Sequence, residues 1–185
     1  MKKYLILFTF SLFLFGCETK DTPQTNGSSA QYSENTSAVI SVEPKSGNQV
    51  PNFSWTNEKG EKISLADAAK GKSVLINFWA TWCGPCVREI PDLVALNNDI
   101  KNDDALIIGI SVDRDGDALA LVSNFAKEKN MKYQIIIDDG NLEKAFGGIR
   151  GIPTTFFVNK NGEIKKKLVG LQSKETFASE LKAVM

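Results

Sequence analysis

The sequence predicts an α/β domain in which a central mixed sheet is flanked by helices on both faces. Three observations predict it. Ser73–Trp79 and Ala105–Val112 are nearly continuous apolar runs of strand length, the pattern of strands buried on both sides. Segments of helical character alternate with these strands along the chain. The C-terminal part then changes to two strands about a tight turn and a closing helix, which adds an antiparallel component to the sheet.

The domain is predicted to span residues 49–185. Phe53–Trp55 and Lys62–Ser64 flank Asn57-Glu58-Lys59-Gly60, an N-terminal hairpin at the edge of the sheet. Ser73–Trp79 is the first buried strand, and Cys83–Ile100 follows as a helix with Pro91 as a kink point. Ala105–Val112 is the second buried strand and Asp117–Lys129 the second long helix. Tyr133–Asp138 is a third strand, followed by a short helix near Leu142–Phe146. Thr154–Asn159 and Glu163–Val169 form a hairpin about Lys160-Asn161-Gly162, and the last helix runs from Lys174 to Val184 with Ser173 as its N-cap.

Ahead of the domain the chain changes character twice. Residues 1–16 read as a leader: Lys2 and Lys3 precede an apolar run from Tyr4 to Phe15, shorter than the roughly 20 residues a spanning helix needs. Leu14-Phe15-Gly16-Cys17 resembles the bacterial lipobox, which makes Cys17 the lipidated N-terminal residue of the mature chain. A plain signal peptide with an incidental cysteine, or an uncleaved short anchor, are the competing readings. Residues 17–48 are rich in Thr, Ser, Asn, Gln and Gly, and are expected to be a flexible polar tether with a reach of about 30 Å.

Composition narrows the chemistry. Apolar residues at 42% and charged residues at 24% fit a globular protein with a true core. Basic and acidic residues both number 22, and removing the leader's Lys2 and Lys3 leaves 20 against 22. Neither balance points to nucleic acid or to an anionic membrane surface as a partner. The chain has no histidine, which excludes Ser-His and Cys-His catalysis and His-ligated metal, and three cysteines are too few for a disulfide-stapled mini-protein.

The chemistry is placed in Trp82-Cys83-Gly84-Pro85-Cys86, where a buried strand gives way to a helix. Cys83 falls at the helix cap, where unpaired N–H groups and the helix dipole favour a thiolate. A spacing of three puts Cys86 on the same face one turn later, within disulfide reach. Pro85 fits the first turn, where its missing N–H is not needed. Cys83 is therefore read as the attacking thiol and Cys86, inside the helix, as the resolving one. A zinc half-site lacks the remaining ligands, and a purely structural disulfide closing so short a loop would restrict the unfolded chain little. Asp113-Arg114-Asp115-Gly116-Asp117 has neither the glycine spacing nor the final glutamate of a calcium loop, and reads as a capped turn into the second long helix.

Asn77-Phe78-Trp79-Ala80-Thr81-Trp82-Cys83-Gly84-Pro85-Cys86 and Ile149-Arg150-Gly151-Ile152-Pro153-Thr154 both resemble the thioredoxin superfamily, in the right order and separation. The stretch between Cys86 and Pro153 is longer than in thioredoxin itself. The extra strand–helix insert and the lipobox leader resemble the TlpA/ResA subfamily of membrane-anchored proteins, which reduce disulfides outside the cytoplasm, often in cytochrome c maturation. The resemblance implies a cis bond at Ile152-Pro153 facing the cysteines, with Ile152 offering its backbone to an extended substrate; an ordinary trans proline opening a strand is the alternative. Trp82 is expected to shield the site and contact partners, and Trp79 to pack in the core.

Thioredoxin carries a buried aspartate where this chain has Asn77, and an amide cannot serve as a base. Glu89 matches the glutamate that the ResA group keeps near its cysteines, and is expected to exchange the proton of Cys86, against the alternative of a solvent-facing glutamate beside Arg88. The resemblance also implies disulfide-bonded exported proteins as substrates, a membrane electron donor of the DsbD/CcdA kind, a location in the cell envelope, and no cofactor or metal. Gly84-Pro85 between the cysteines resembles the reducing thioredoxins, whose potential lies near −270 mV. Other functions compete. Peroxiredoxins share this fold but carry Thr-x-x-Cys, whereas Thr81-Trp82-Cys83 has one intervening residue. A copper chaperone of the SCO type needs CxxxC and a histidine. A non-catalytic binding module on a lipid tether is the remaining alternative.

Overall fold

The computed structural model describes residues 34–57, 59–100 and 105–185. The leader, Cys17 and the first part of the expected tether lie outside the described residues. Eight strands are present: β1 (Thr36–Glu43), β2 (Asn52–Thr56), β3 (Lys62–Ser64), β4 (Ser73–Trp79), β5 (Ala105–Ser111), β6 (Gln134–Ile137), β7 (Thr154–Val158) and β8 (Ile164–Val169). The helices are α1 (Leu65–Ala68), α2 (Gly84–Asp99), α3 (Ala118–Glu128), α4 (Asn141–Ala145) and α5 (Lys174–Ala183).

The strands form one sheet in the order β3-β2-β1-β6-β5-β4-β7-β8. β1, β6, β5 and β4 run parallel, β2 and β3 add antiparallel at one edge, and β7 and β8 add antiparallel at the other. This is the predicted mixed α/β architecture, of thioredoxin-like type. Every residue of β4 is buried, as its nearly continuous apolar run predicts. Period-two alternation divides its side chains between two cores. Leu75 and Trp79 join Cys86, Ile90 and Leu93 of α2, Val122 of α3 and Phe177 of α5. Val74, Ile76 and Phe78 point the other way, to Leu65 of α1, Leu142 of α4 and the aromatic pair Phe146 and Phe156. Asn77, polar and buried, shares the face of α2.

Gly109 sits beside Asn77 in the β4–β5 register. A Cβ there would come within 3.0 Å of the Trp79 indole nitrogen and 3.2 Å of Tyr133. The glycine thus lets two large aromatic rings pack over the middle of the sheet.

The N-terminal boundary differs from the expectation. The sheet begins at Thr36, so a flexible tether reaching residue 48 is incorrect. Thr36–Ala38 pairs with Ile135–Ile137 of β6, and Val39–Glu43 pairs with β2. Asn35 fastens the start of β1, its side-chain amide donating to the carbonyls of Met131 and Tyr133. The overall polarity of this region conceals a short β-branched run, Val39, Ile40 and Val42, which suits a half-buried strand. The short helix α1 was also not expected; Ser64 caps it by accepting from Asp67 N. Elsewhere the predicted elements match closely. Asp117 caps α3 through Ala120 N, and Ser173 caps α5 through Thr176 N. Pro91 lies inside α2, where it withholds the hydrogen bond the Val87 carbonyl would accept.

Candidate redox site

β4 ends at Trp79, and the chain turns through Ala80–Trp82 into the first turn of α2. Cys83 is the N-cap residue, in extended conformation, and its Sγ accepts from Cys86 N at 3.3 Å. The two cysteines are joined as a disulfide, Cα atoms 5.2 Å apart. Cys86 is fully enclosed and Cys83 is 5% exposed. The helix start thus presents one sulfur at the rim and holds the other beneath it.

The turn is clamped from the neighbouring strand. Buried Asp113, just past the end of β5, accepts from Thr81 N at 3.0 Å, from Thr81 Oγ1 at 2.6 Å and from Ser111 Oγ at 2.7 Å. Val112 N also donates to the Trp79 carbonyl. Reading the acidic stretch only as a capped turn missed this role. The available signal was position: Ser111-Val112-Asp113 closes a buried strand beside the one that carries the cysteines, on the carboxyl edge where α/β sites form.

The Ile152-Pro153 peptide bond is cis. The Ile152 carbonyl oxygen lies 3.7 Å from Cys83 Sγ, and among the described residues the Ile152 N–H has no partner. Pro153 is itself buried, and its carbonyl accepts from Gly170 N. That bond holds the end of β8 beside the site, where Val169 and Leu171 are exposed apolar side chains. Trp82 is 70% exposed, whereas Trp79 is buried against Phe125 at 5.5 Å between ring centroids. The structure therefore brings Trp82, Cys83, Cys86, Ile152 and Pro153 to one edge of the sheet.

Glu89 lies below the disulfide on α2, at 1% exposure, so the solvent-facing alternative does not describe it. Asn77 Nδ2 donates to its Oε1 at 2.8 Å and Gln172 N to its Oε2 at 3.1 Å. Thr155, paired with Asn77 across β4–β7, receives the other Asn77 amide hydrogen at 3.0 Å. Burial pushes the Glu89 carboxyl from 4.5 up to about 7, opposed by the bonds from Asn77 and Gln172 and helped by the charge of Asp92. The Tyr133 hydroxyl is pushed up by its own burial and then by the Glu89 charge. Thr155, Tyr133 and the Gln172 backbone were not identified from sequence, because each lies far along the chain.

Among the described residues no group of three or more Cys, Asp or Glu side chains is placed to hold a metal ion. No described helix is long and apolar enough to cross a membrane. A cleft of about 350 Å³ opens at the opposite end of the sheet, between Lys70–Lys72 before β4 and Asn159–Gly162 after β7. The disulfide lies at the other end, where β4 passes into α2.

Residues 46–167 match the model of the AhpC/TSA family. The thiol-disulfide oxidoreductase ResA of Bacillus anthracis is 36% identical over 138 residues, covering 75% of this chain and 78% of that protein. ResA of Bacillus subtilis is 32% identical over 124 residues, 67% of each. A thioredoxin-family thiol:disulfide interchange protein from Chlorobium tepidum superposes with a TM-score of 0.66 at 32% identity, over 78% of this chain and 99% of that one. StoA from Bacillus subtilis gives 0.62 at 27% identity, over 72% and 98%. The exposed lipoprotein thioredoxin Etrx1 of Streptococcus pneumoniae gives 0.60 at 26%, over 71% and 98%.

Proposed function

The chain belongs to the AhpC/TSA family and is a thioredoxin-like thiol–disulfide oxidoreductase of the ResA kind; from that premise we propose that it reduces disulfides in exported proteins from a lipid anchor at Cys17. The observation that carries the reading is the Cys83–Cys86 disulfide at the start of α2, with one sulfur at the rim beside Ile152 and the other sealed above a buried carboxyl. Two electrons and two protons from a membrane donor of the DsbD/CcdA kind open that disulfide. The Cys83 thiolate, favoured by the Cys86 N–H and the helix start, then attacks one sulfur of the substrate disulfide and expels the other as a thiolate. Cys86 attacks Cys83 in the resulting mixed disulfide, releasing the second substrate thiol and restoring the internal disulfide.

Glu89 takes the proton that Cys86 must lose before it attacks. A carboxyl near 7 is partly ionised at neutral pH and can both accept and return that proton. The Ile152 N–H, unpaired among the described residues, and its carbonyl offer an edge on which an extended substrate segment can pair while its disulfide meets Cys83. Apocytochrome c is one substrate of the required kind. The lipoprotein leader, the polar stretch between Cys17 and the domain, and the envelope location complete the reading.

A peroxidase reading has the family name in its favour but not the residues. Thr81 stands two positions before Cys83, and its hydroxyl is committed to Asp113. The deciding experiment is trapping in envelope extracts. Cys86→Ala should accumulate a mixed disulfide on Cys83 whose partner mass spectrometry identifies, and the wild type should reduce insulin with dithiothreitol. No adduct, no insulin reduction and consumption of peroxide would replace the reductase with a peroxidase.

A further inference from the structure

The cleft at the far end of the sheet is separate from the thiol chemistry. Lys45, Lys70, Lys72 and Lys160 line it, and among the described residues no acidic side chain does. Among the described residues, none of these four lysines forms an ion pair. They come from three separate parts of the chain: the loop after β1, the turn before β4 and the turn after β7. The overall charge balance is even, so this is a local excess that folding creates. Between the lysines the floor is apolar, formed in part by Leu65, Val74 and Val158. The volume of about 350 Å³ falls in the range of small-molecule sites.

We propose that this cleft binds an anionic amphiphile, with a phosphate or carboxylate head among Lys45, Lys70, Lys72 and Lys160 and an apolar part on Leu65, Val74 and Val158. Lysine is suited to this arrangement because its stem covers apolar surface while its ammonium stays at the water boundary. A bare anion would leave the apolar floor uncontacted, and a neutral apolar ligand would make no use of the unpaired charges. The site does not depend on lipidation of Cys17 or on the reductase reading.

The test uses the oxidised full chain at low salt, followed by the amide resonances of Gly71 and Gly162. Monomeric dihexanoyl phosphatidylglycerol and octanoate are the anionic amphiphiles; dihexanoyl phosphatidylcholine and inorganic phosphate are the controls. Saturable shifts are expected with at least one anionic amphiphile, and the tighter of the two identifies the head group. The lysine double variant Lys70→Gln/Lys72→Gln should weaken that binding about tenfold, with insulin reduction unchanged. The proposal is overturned if neither amphiphile gives saturable shifts, if phosphatidylcholine or phosphate alone binds as tightly, or if the double variant binds like the parent. Insulin reduction reads the thiol site separately, so its failure would not bear on the cleft.

Discussion

Asn77 Nδ2 donates to Glu89 Oε1 across 2.8 Å, from the middle of β4 to the second turn of α2, with both residues buried. The neutral amide stands where the resembled thioredoxins have an aspartate, and the buried carboxyl beside it is carried by the helix, at Glu89. Asn77 also donates to Thr155, which fixes its orientation and leaves its amide nitrogen aimed at the carboxylate. Together with Gln172 N it supports the ionised form, but burial outweighs both and leaves Glu89 near neutrality.

If Glu89 exchanges the proton of Cys86, Glu89→Gln should slow the resolving step while leaving initial attack by Cys83 nearly unchanged. A general base contributes about 10²-fold or more where it acts in the transition state. Stopped-flow release of the second thiol from a preformed mixed disulfide should fall by at least about tenfold at pH 7. The rise of that rate between pH 6 and 8, as the carboxyl ionises, should flatten in the variant. An unchanged rate and pH profile would remove Glu89 from the mechanism.

The same burial makes stability depend on pH. Below 4.5 the carboxyl is protonated in both folded and unfolded chains. Between 4.5 and about 7 the folded protein keeps a proton that the unfolded chain has released, so stability is lost as pH rises through this window. The full difference amounts to about 3 kcal/mol above pH 7. Urea unfolding of the oxidised protein at pH 5 and pH 8, compared with Glu89→Gln, should show the wild type losing stability to alkali by more than the variant, by an amount of this order.

How much of this was legible follows from where each signal resides. The cysteines, Pro85, Glu89 and Ile152-Pro153 lie in short local patterns, and the buried strands announce themselves by nearly continuous apolar runs. β1 did not, because its Val39, Ile40 and Val42 are diluted by polar neighbours and its pairing with β6 spans nearly a hundred residues. Asp113 was misread for a related reason. Its partners Thr81 and Ser111 meet it only because β4 and β5 lie side by side, and an aspartate before Arg114-Asp115-Gly116 looks like turn chemistry. The charge of the far cleft was hidden because an even total says nothing of how folding distributes lysines.

Asp113→Ala should test the clamp on the active-site turn. It removes the acceptor of three hydrogen bonds and leaves the Thr81 N–H and the Ser111 hydroxyl without that partner. Each buried donor left unpaired costs about 1–3 kcal/mol, so a loss of several kcal/mol is expected in chemical denaturation. Thr81→Val is the milder companion, because it removes one hydroxyl and keeps the backbone bond. It should cost about 1 kcal/mol. If the clamp also positions Cys83, Thr81→Val should alter the Cys83 thiol titration in the reduced protein, a readout that a general loss of stability would not move.

Trp82 separates recognition from chemistry. At 70% exposure it contributes little to the core, so Trp82→Ala should change unfolding free energy by no more than about 0.5 kcal/mol. Its indole stands next to Cys83 and on the same edge as the exposed Val169 and Leu171, where a protein substrate would cover it. An aromatic anchor in a contact surface is worth about 1 kcal/mol or more when truncated, a several-fold change in rate or affinity. Reduction of a protein disulfide should therefore slow several-fold, while reduction of a small aromatic disulfide, which needs only access to Cys83, should keep its rate. Equal losses on both substrates would mean that Trp82 tunes the sulfur itself, and no loss on either would leave the exposed indole without a part in recognition.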